Sequence, residues 1–174
     1  MLDRLLRMVA SRWFRLVLVG LVVLSLQTTL FGQIRPFGYT VQIVAIFVAS
    51  AGATHNVQVG AVTGLVAGFM YDAVLATPLG ITALVFGVVG ALASLLVQPF
   101  REPTWWLRVL AASVAAAFGE VFLPVMKSVV GLSGWLQYRI VGVALVTFVG
   151  SLIFALPLMP VTRWTLRERA GRGD

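Results

Sequence analysis

The chain has no cysteine and a single histidine, His55. The first absence excludes disulfides and thiolate chemistry. Together they leave no set of His, Cys and carboxylate residues at metal-ligand spacing, so no metal site is expected. Charge is scarce as well: 11% of the 174 residues are charged, and only six are acidic. Soluble domains carry about a quarter charged residues, so this chain has too little charge to cover a globule in water. There is no Walker motif, no Gly-x-Ser-x-Gly elbow and no Ser/His/Asp set placed to converge. Nothing in the chain calls for catalysis, and no cofactor is expected.

What is present is apolar. Hydrophobic residues make up 60% of the chain and the mean hydropathy is +0.99. Such stretches must face lipid or each other, which predicts an all-α integral membrane protein in a single domain, 1–174. The net charge of +7 is concentrated at the two ends of the chain. That placement suits an anionic membrane surface and not nucleic acid.

Breakers divide the chain into six apolar stretches, predicting six transmembrane helices at about 16–31, 39–53, 57–75, 79–97, 105–125 and 136–158. Arg4, Arg7, Arg12 and Arg15 precede the first, and no small-x-small cleavage site follows it. It therefore reads as a retained span and not a signal peptide. Gly32 and Pro36 close it. The second stops at Thr54-His55-Asn56; it is the shortest, and a tilted or partly re-entrant course stays open for it. Thr77-Pro78 and Gln98-Pro99 end the next two. Trp105 and Trp106 stand where an interfacial aromatic belt belongs. Pro124 is expected to bend or end the fifth span, and Pro157 and Pro160 to close the sixth. The tail from Thr162 to Arg172 then reads as a solvated membrane-surface anchor. Ten of the 13 basic residues fall on one side of this topology, leaving Arg35, Lys127 and Arg139 on the other. The arginine bias puts both termini in the cytoplasm.

Small residues recur at four-residue spacing. Gly60, Gly64 and Gly68 line the third span, Ala83, Gly87 and Ala91 the fourth, and Ala112 and Ala116 the fifth. Such stripes let backbones approach where lipid supplies no hydrophobic drive. They serve packing within the chain or receive a partner's helix. Asp72 extends the Gly68 stripe and Glu120 the Ala116 stripe, both in the outer half of the bilayer. An acid there is costly unless paired and marks a functional candidate. Lys127, Arg139 and Arg35 are the available partners for a register-fixing ion pair; a proton or ion relay is the other reading.

The stretch from Gly64 through Gly68, Phe69, Met70, Tyr71 and Asp72 to Pro78, Gly80 and Ala83-Leu84 resembles the hallmark of MreD, the rod shape-determining membrane protein family. Leu26-Gln27-Thr28-Thr29-Leu30-Phe31 resembles the end of that family's first span, and size and loop lengths agree over the whole chain. The resemblance implies a bacterial inner-membrane scaffold of the cell-elongation machinery. Its implied partners are MreC, and further MreB, RodA and a class B penicillin-binding protein. MreC's transmembrane helix or the segment just outside it is expected on a glycine-lined face. The implied fold is that of the substrate-binding subunits of energy-coupling-factor transporters, which carries an alternative: a vitamin-binding subunit. A vitamin pocket needs outer polar and aromatic groups. Gln33, Arg35, Tyr39, Asp72, Thr77, Lys127, Gln137, Tyr138 and Arg139 nearly exhaust that supply, so the scaffold ranks first. An enzyme acting on lipid ranks third for want of a catalytic cluster.

Overall fold

The computed structural model describes residues 11–31, 41–75, 80–131 and 139–167, which contain six helices and no strand. Helix α1 (Arg12–Leu26) starts at Ser11, whose side chain accepts from the Phe14 N–H, and runs into a π-helical turn, Gln27–Phe31. The others are α2 (Ile43–Thr54), α3 (Val57–Leu75), α4 (Ile81–Val97), α5 (Trp105–Val129) and α6 (Arg139–Leu166). Four helical stretches are long and apolar enough to cross a membrane, Arg12–Leu30, Val57–Leu75, Trp105–Val129 and Ile140–Leu166; α2 and α4 are shorter apolar helices.

The shortest helix is the centre. Every residue of α2 from Ile43 to Ala53 is buried, and α2 touches all five other helices. Its sequence explains this: Ile43, Val44, Ile46, Phe47 and Val48 distribute apolar groups around the whole circumference, and a helix apolar all round is a buried one. Ala45, Ala49, Ser50, Ala51, Gly52 and Ala53 keep it thin enough for five neighbours. Its 12 residues span about 18 Å at ~1.5 Å per residue, against ~30 Å of bilayer hydrocarbon.

The most extensive helix pair is α3 with α4. A Cβ placed on Gly60 would strike the Gly90 carbonyl, one on Gly64 the backbone of Phe86 and Gly87, and one on Gly68 the backbone of Ala83. The helices thus run antiparallel with backbone on backbone, which only glycine permits at this separation. Gly52 of α2 joins the contact: its own Cβ would fall on the Gly90 carbonyl, and a Cβ on Gly60 would lie 2.9 Å from the Gly52 Cα. The row that α4 presents is therefore Ala83, Phe86 and Gly90. Gly87 lies to one side, where a Cβ would meet the Leu65 side chain at 3.2 Å, and Ala91 is only half-buried. The four-residue stripe expected on α4 drifts off the contact, because four residues turn about 400° and overshoot one full turn.

Pro157 and Pro160 do not close their helix as expected, and Pro124 does not end its own. Pro124 lies inside α5, which continues to Val129, and Pro157 and Pro160 lie inside α6, which continues to Leu166. Proline costs a membrane helix one N–H donor and crowds a carbonyl, but surrounding helices and local hydroxyls re-satisfy the backbone. Beyond Pro160 the end of α6 is held down. Thr162 and Thr165 donate to the Met159 and Val161 carbonyls, Leu166 is buried, and Arg15 donates to the carbonyls of Trp164 (3.0 Å) and Arg167 (2.7 Å). The first part of the expected solvated tail is a docked helix end.

Replacing Gly64 with leucine should abolish the α3–α4 contact, since overpacking a side chain costs about 1–3 kcal/mol and here the obstacle is backbone. Val88→Leu, on the outer face of the same pair, should leave the thermal midpoint in detergent unchanged. A G64L protein with wild-type melting would contradict this packing.

Candidate functional site

Polar groups gather at the two ends of the α3–α4 pair. At one end Asp72, 1% exposed, sits one turn beyond Gly68. Its Oδ2 accepts from the backbone N–H of Gly80 at 2.9 Å and of Ala83 at 3.4 Å. Gly80 is the N-cap of α4 and has no side chain with which to close the helix start. An N-cap side chain ordinarily accepts from the third helical N–H, here that of Ala83, and Asp72 performs this across the helix pair. Its charge also lies at the positive end of the α4 dipole. Gly80 adopts φ 103°, a conformation open to glycine and strained for other residues. The Asp72 and Gly80 positions are therefore two halves of one device.

The other expected acid is near. Glu120 is buried on α5 beside Gly119, where a Cβ would lie 2.6 Å from Val89 of α4. Tyr71 lies in the field of both Glu120 and Asp72, and the Lys127 charge acts on Glu120. Asp72 and Glu120 thus both lie near Tyr71, with Lys127 further along α5 from Glu120. The Arg139 side chain lies outside the described residues, as does Arg35.

A second cap went unread in the sequence. Gln27, buried in the π-helical turn, accepts through Oε1 from the Ile43 N–H at 2.7 Å. This closes the start of α2, whose own N-cap residue, Gln42, makes no capping bond. A lone glutamine at the end of an apolar run is the signal that could have found it.

At the opposite end lie His55, Arg108, Arg163 and Arg167. The His55 carbonyl accepts from Ser94 of α4 at 3.0 Å, Thr54 lies 3.4 Å from Thr162 of α6, and Asn56 caps α3 by accepting from the Val59 N–H at 2.9 Å. The tight α2–α3 turn is thereby tied to α4 and α6. His55 Nδ1 lies 3.2 Å from the Ala51 carbonyl. A cavity of about 640 Å³ opens here, lined in part by His55, Asn56, Gln98 and Arg108. Burial, and then the positive charges of Arg163 and Arg108, hold the His55 pKa below its usual 6.5, outweighing the Ala51 hydrogen bond.

Among the described residues no three His, Cys, Asp or Glu side chains are grouped to hold a metal. What the fold and its polar groups define is a helical membrane protein whose buried acid and amide close helix ends. The chain belongs to the MreD family: the model of the rod shape-determining protein MreD matches residues 8–168. It is accordingly a rod shape-determining membrane protein. No curated protein and no solved structure matches the chain.

Two outcomes test these sites. Asp72→Ala should destabilise the detergent-solubilised protein by about 1–2 kcal/mol, the cost of a lost cap with its helix-dipole term. Asp72→Asn, which keeps an acceptor, should cost less; equal melting of all three proteins would exclude the cap. For His55, a folded pKa below 6.5 means that the unfolded chain takes up the proton more readily. Its contribution is complete above pH 6.5 and is lost as pH falls through 6.5 toward the folded value. Melting scans from pH 7.5 to 5.5 should therefore decline less steeply in His55→Gln than in the wild type.

Proposed function

We propose that this chain is a non-catalytic scaffold of the bacterial inner membrane, one domain of six spans with both termini cytoplasmic. It binds MreC and couples the MreB cytoskeleton to the wall synthases RodA and class B penicillin-binding protein. The observation that carries the reading is the MreD family match over residues 8–168. The topology draws support from Arg15, which bonds the carbonyls of Trp164 and Arg167. The start of the first helix and the end of the last therefore share a side, as an even number of crossings requires.

The interior agrees with a scaffold. Gly60, Gly64 and Gly68 are occupied by α4, so a partner's helix must use another surface. The outward residues Trp13, Phe14, Val17, Leu18, Leu21 and Val22 of α1 are all exposed, and α1 makes the slightest contacts with the bundle. We assign MreC's transmembrane segment to this flank of α1.

Affinity purification of the full chain from its native membrane should recover MreC. Leu18→Trp with Val22→Trp should reduce MreC recovery at least several-fold while the melting midpoint holds. Recovery of an ATPase and transmembrane coupling subunit in MreC's place would replace the scaffold with the transporter reading.

A further inference from the structure

His55 is a wall shared by two adjoining cavities. The one of about 640 Å³ lies among the α2–α3 turn, the end of α4 and the start of α5, with Arg108 in its lining. The other, about 500 Å³, is formed by His55, Pro160, Arg163, Trp164 and Arg167. Arg108 and Arg163 both act electrostatically on His55, and Arg163 on Arg108, so positive charge from α5 and α6 converges on this turn. Among the described residues no aspartate or glutamate lines either cavity. The Nε–H of Arg108 is buried and has no acceptor among the described residues. Cations held together without a counter-charge repel, and a buried guanidinium donor without an acceptor carries a desolvation cost. An anion seated between them removes both penalties.

The surroundings choose among anions. Leu145, Val149, Ile153 and Leu156 are exposed on α6 and follow one another at four- and three-residue steps, which is one face of the helix. The same face continues through Pro160 to Trp164, 59% exposed, and to Arg163 and Arg167. A free phosphate would use only the arginines. A phospholipid would use the whole surface: phosphate on the guanidiniums, the indole at headgroup level, and an acyl chain along the apolar face.

We propose that the cleft at His55 binds the headgroup of an anionic phospholipid, with Arg108, Arg163 and Arg167 taking the phosphate and Trp164 beside the glycerol. Basic pockets between membrane helices are suited to such headgroups. The site stands on the cleft alone and does not depend on the scaffold reading or on MreC.

The test uses the purified full chain in an uncharged detergent, with short-chain phosphatidylglycerol, phosphatidylcholine or inorganic phosphate added at matched ionic strength. Native mass spectrometry counts bound lipid and thermal melting reads stabilisation. Phosphatidylglycerol should bind at one copy and raise the melting midpoint, while phosphatidylcholine and inorganic phosphate should do neither. Arg163→Gln, at an exposed side chain, should weaken phosphatidylglycerol binding about 5-fold, or on the order of 1 kcal/mol. Arg108→Gln should do the same, and Arg101→Gln, at an exposed side chain that lines neither cavity, should leave binding unchanged. Equal stabilisation by inorganic phosphate would assign the cleft to a free anion and overturn the proposal. Equal losses in Arg101→Gln and Arg163→Gln would reduce the effect to diffuse surface attraction and overturn it too. If Arg108→Gln does not fold, the lipid comparison on the wild type and the Arg163→Gln result decide the matter.

Discussion

The architecture depends on placing a helix of 12 residues at the centre of a bundle that has to match a bilayer. A helix this short ends inside low-dielectric surroundings, where an unmade backbone hydrogen bond costs several kcal/mol. Its start cannot be left to water. Gln27 reaches from the preceding helix to the Ile43 N–H, and the π-helical turn that carries Gln27 sits where α1 meets α2. At the other end Thr54 donates to the Ser50 carbonyl and His55 is tied down through Ser94, so both termini of α2 are closed by the protein itself.

The same requirement shapes the α3–α4 pair. Gly60 meets Gly90, Gly64 meets Phe86, Gly68 meets Ala83, and Asp72 meets Gly80. These pairs follow one antiparallel register, so the stripe and the cap form a single line of contact. Three glycine contacts bring the backbones together, and the fourth position needs a side chain because α4 begins there and its N–H groups need an acceptor. Acid and glycines are therefore parts of one structural device. With its core closed in this way, the described residues leave outward apolar faces and an arginine-rich end open to other molecules.

The two ends of the pair have opposite chemistry. Near Asp72, acids sit around Tyr71 with Lys127 in reach; near His55, cations gather without an acid in the cavity linings. At the first end Asp72 is met by backbone donors of α4. Among the described residues the second gathers arginines without an acid in the cavity linings, and the Arg108 Nε–H there has no acceptor.

By itself the sequence determined the class, the six helices found among the described residues and the existence of a close-packed face. Hydropathy and glycine spacing are local properties, and the lipid environment leaves few alternatives for chains with so little charge. The bounds of α3, at Val57 and Leu75, are legible because polar residues and a proline flank an unbroken run. Proline was misleading in α6, since its cost is decided by the groups that surround it. Only the tertiary structure decided that the shortest span is the hub, that Asp72 serves the start of α4, and that Gly90 replaces Ala91 in the contact row. Those are pairings between distant residues, set by which backbones approach and in what register, and spacing along one helix does not encode its neighbour's register.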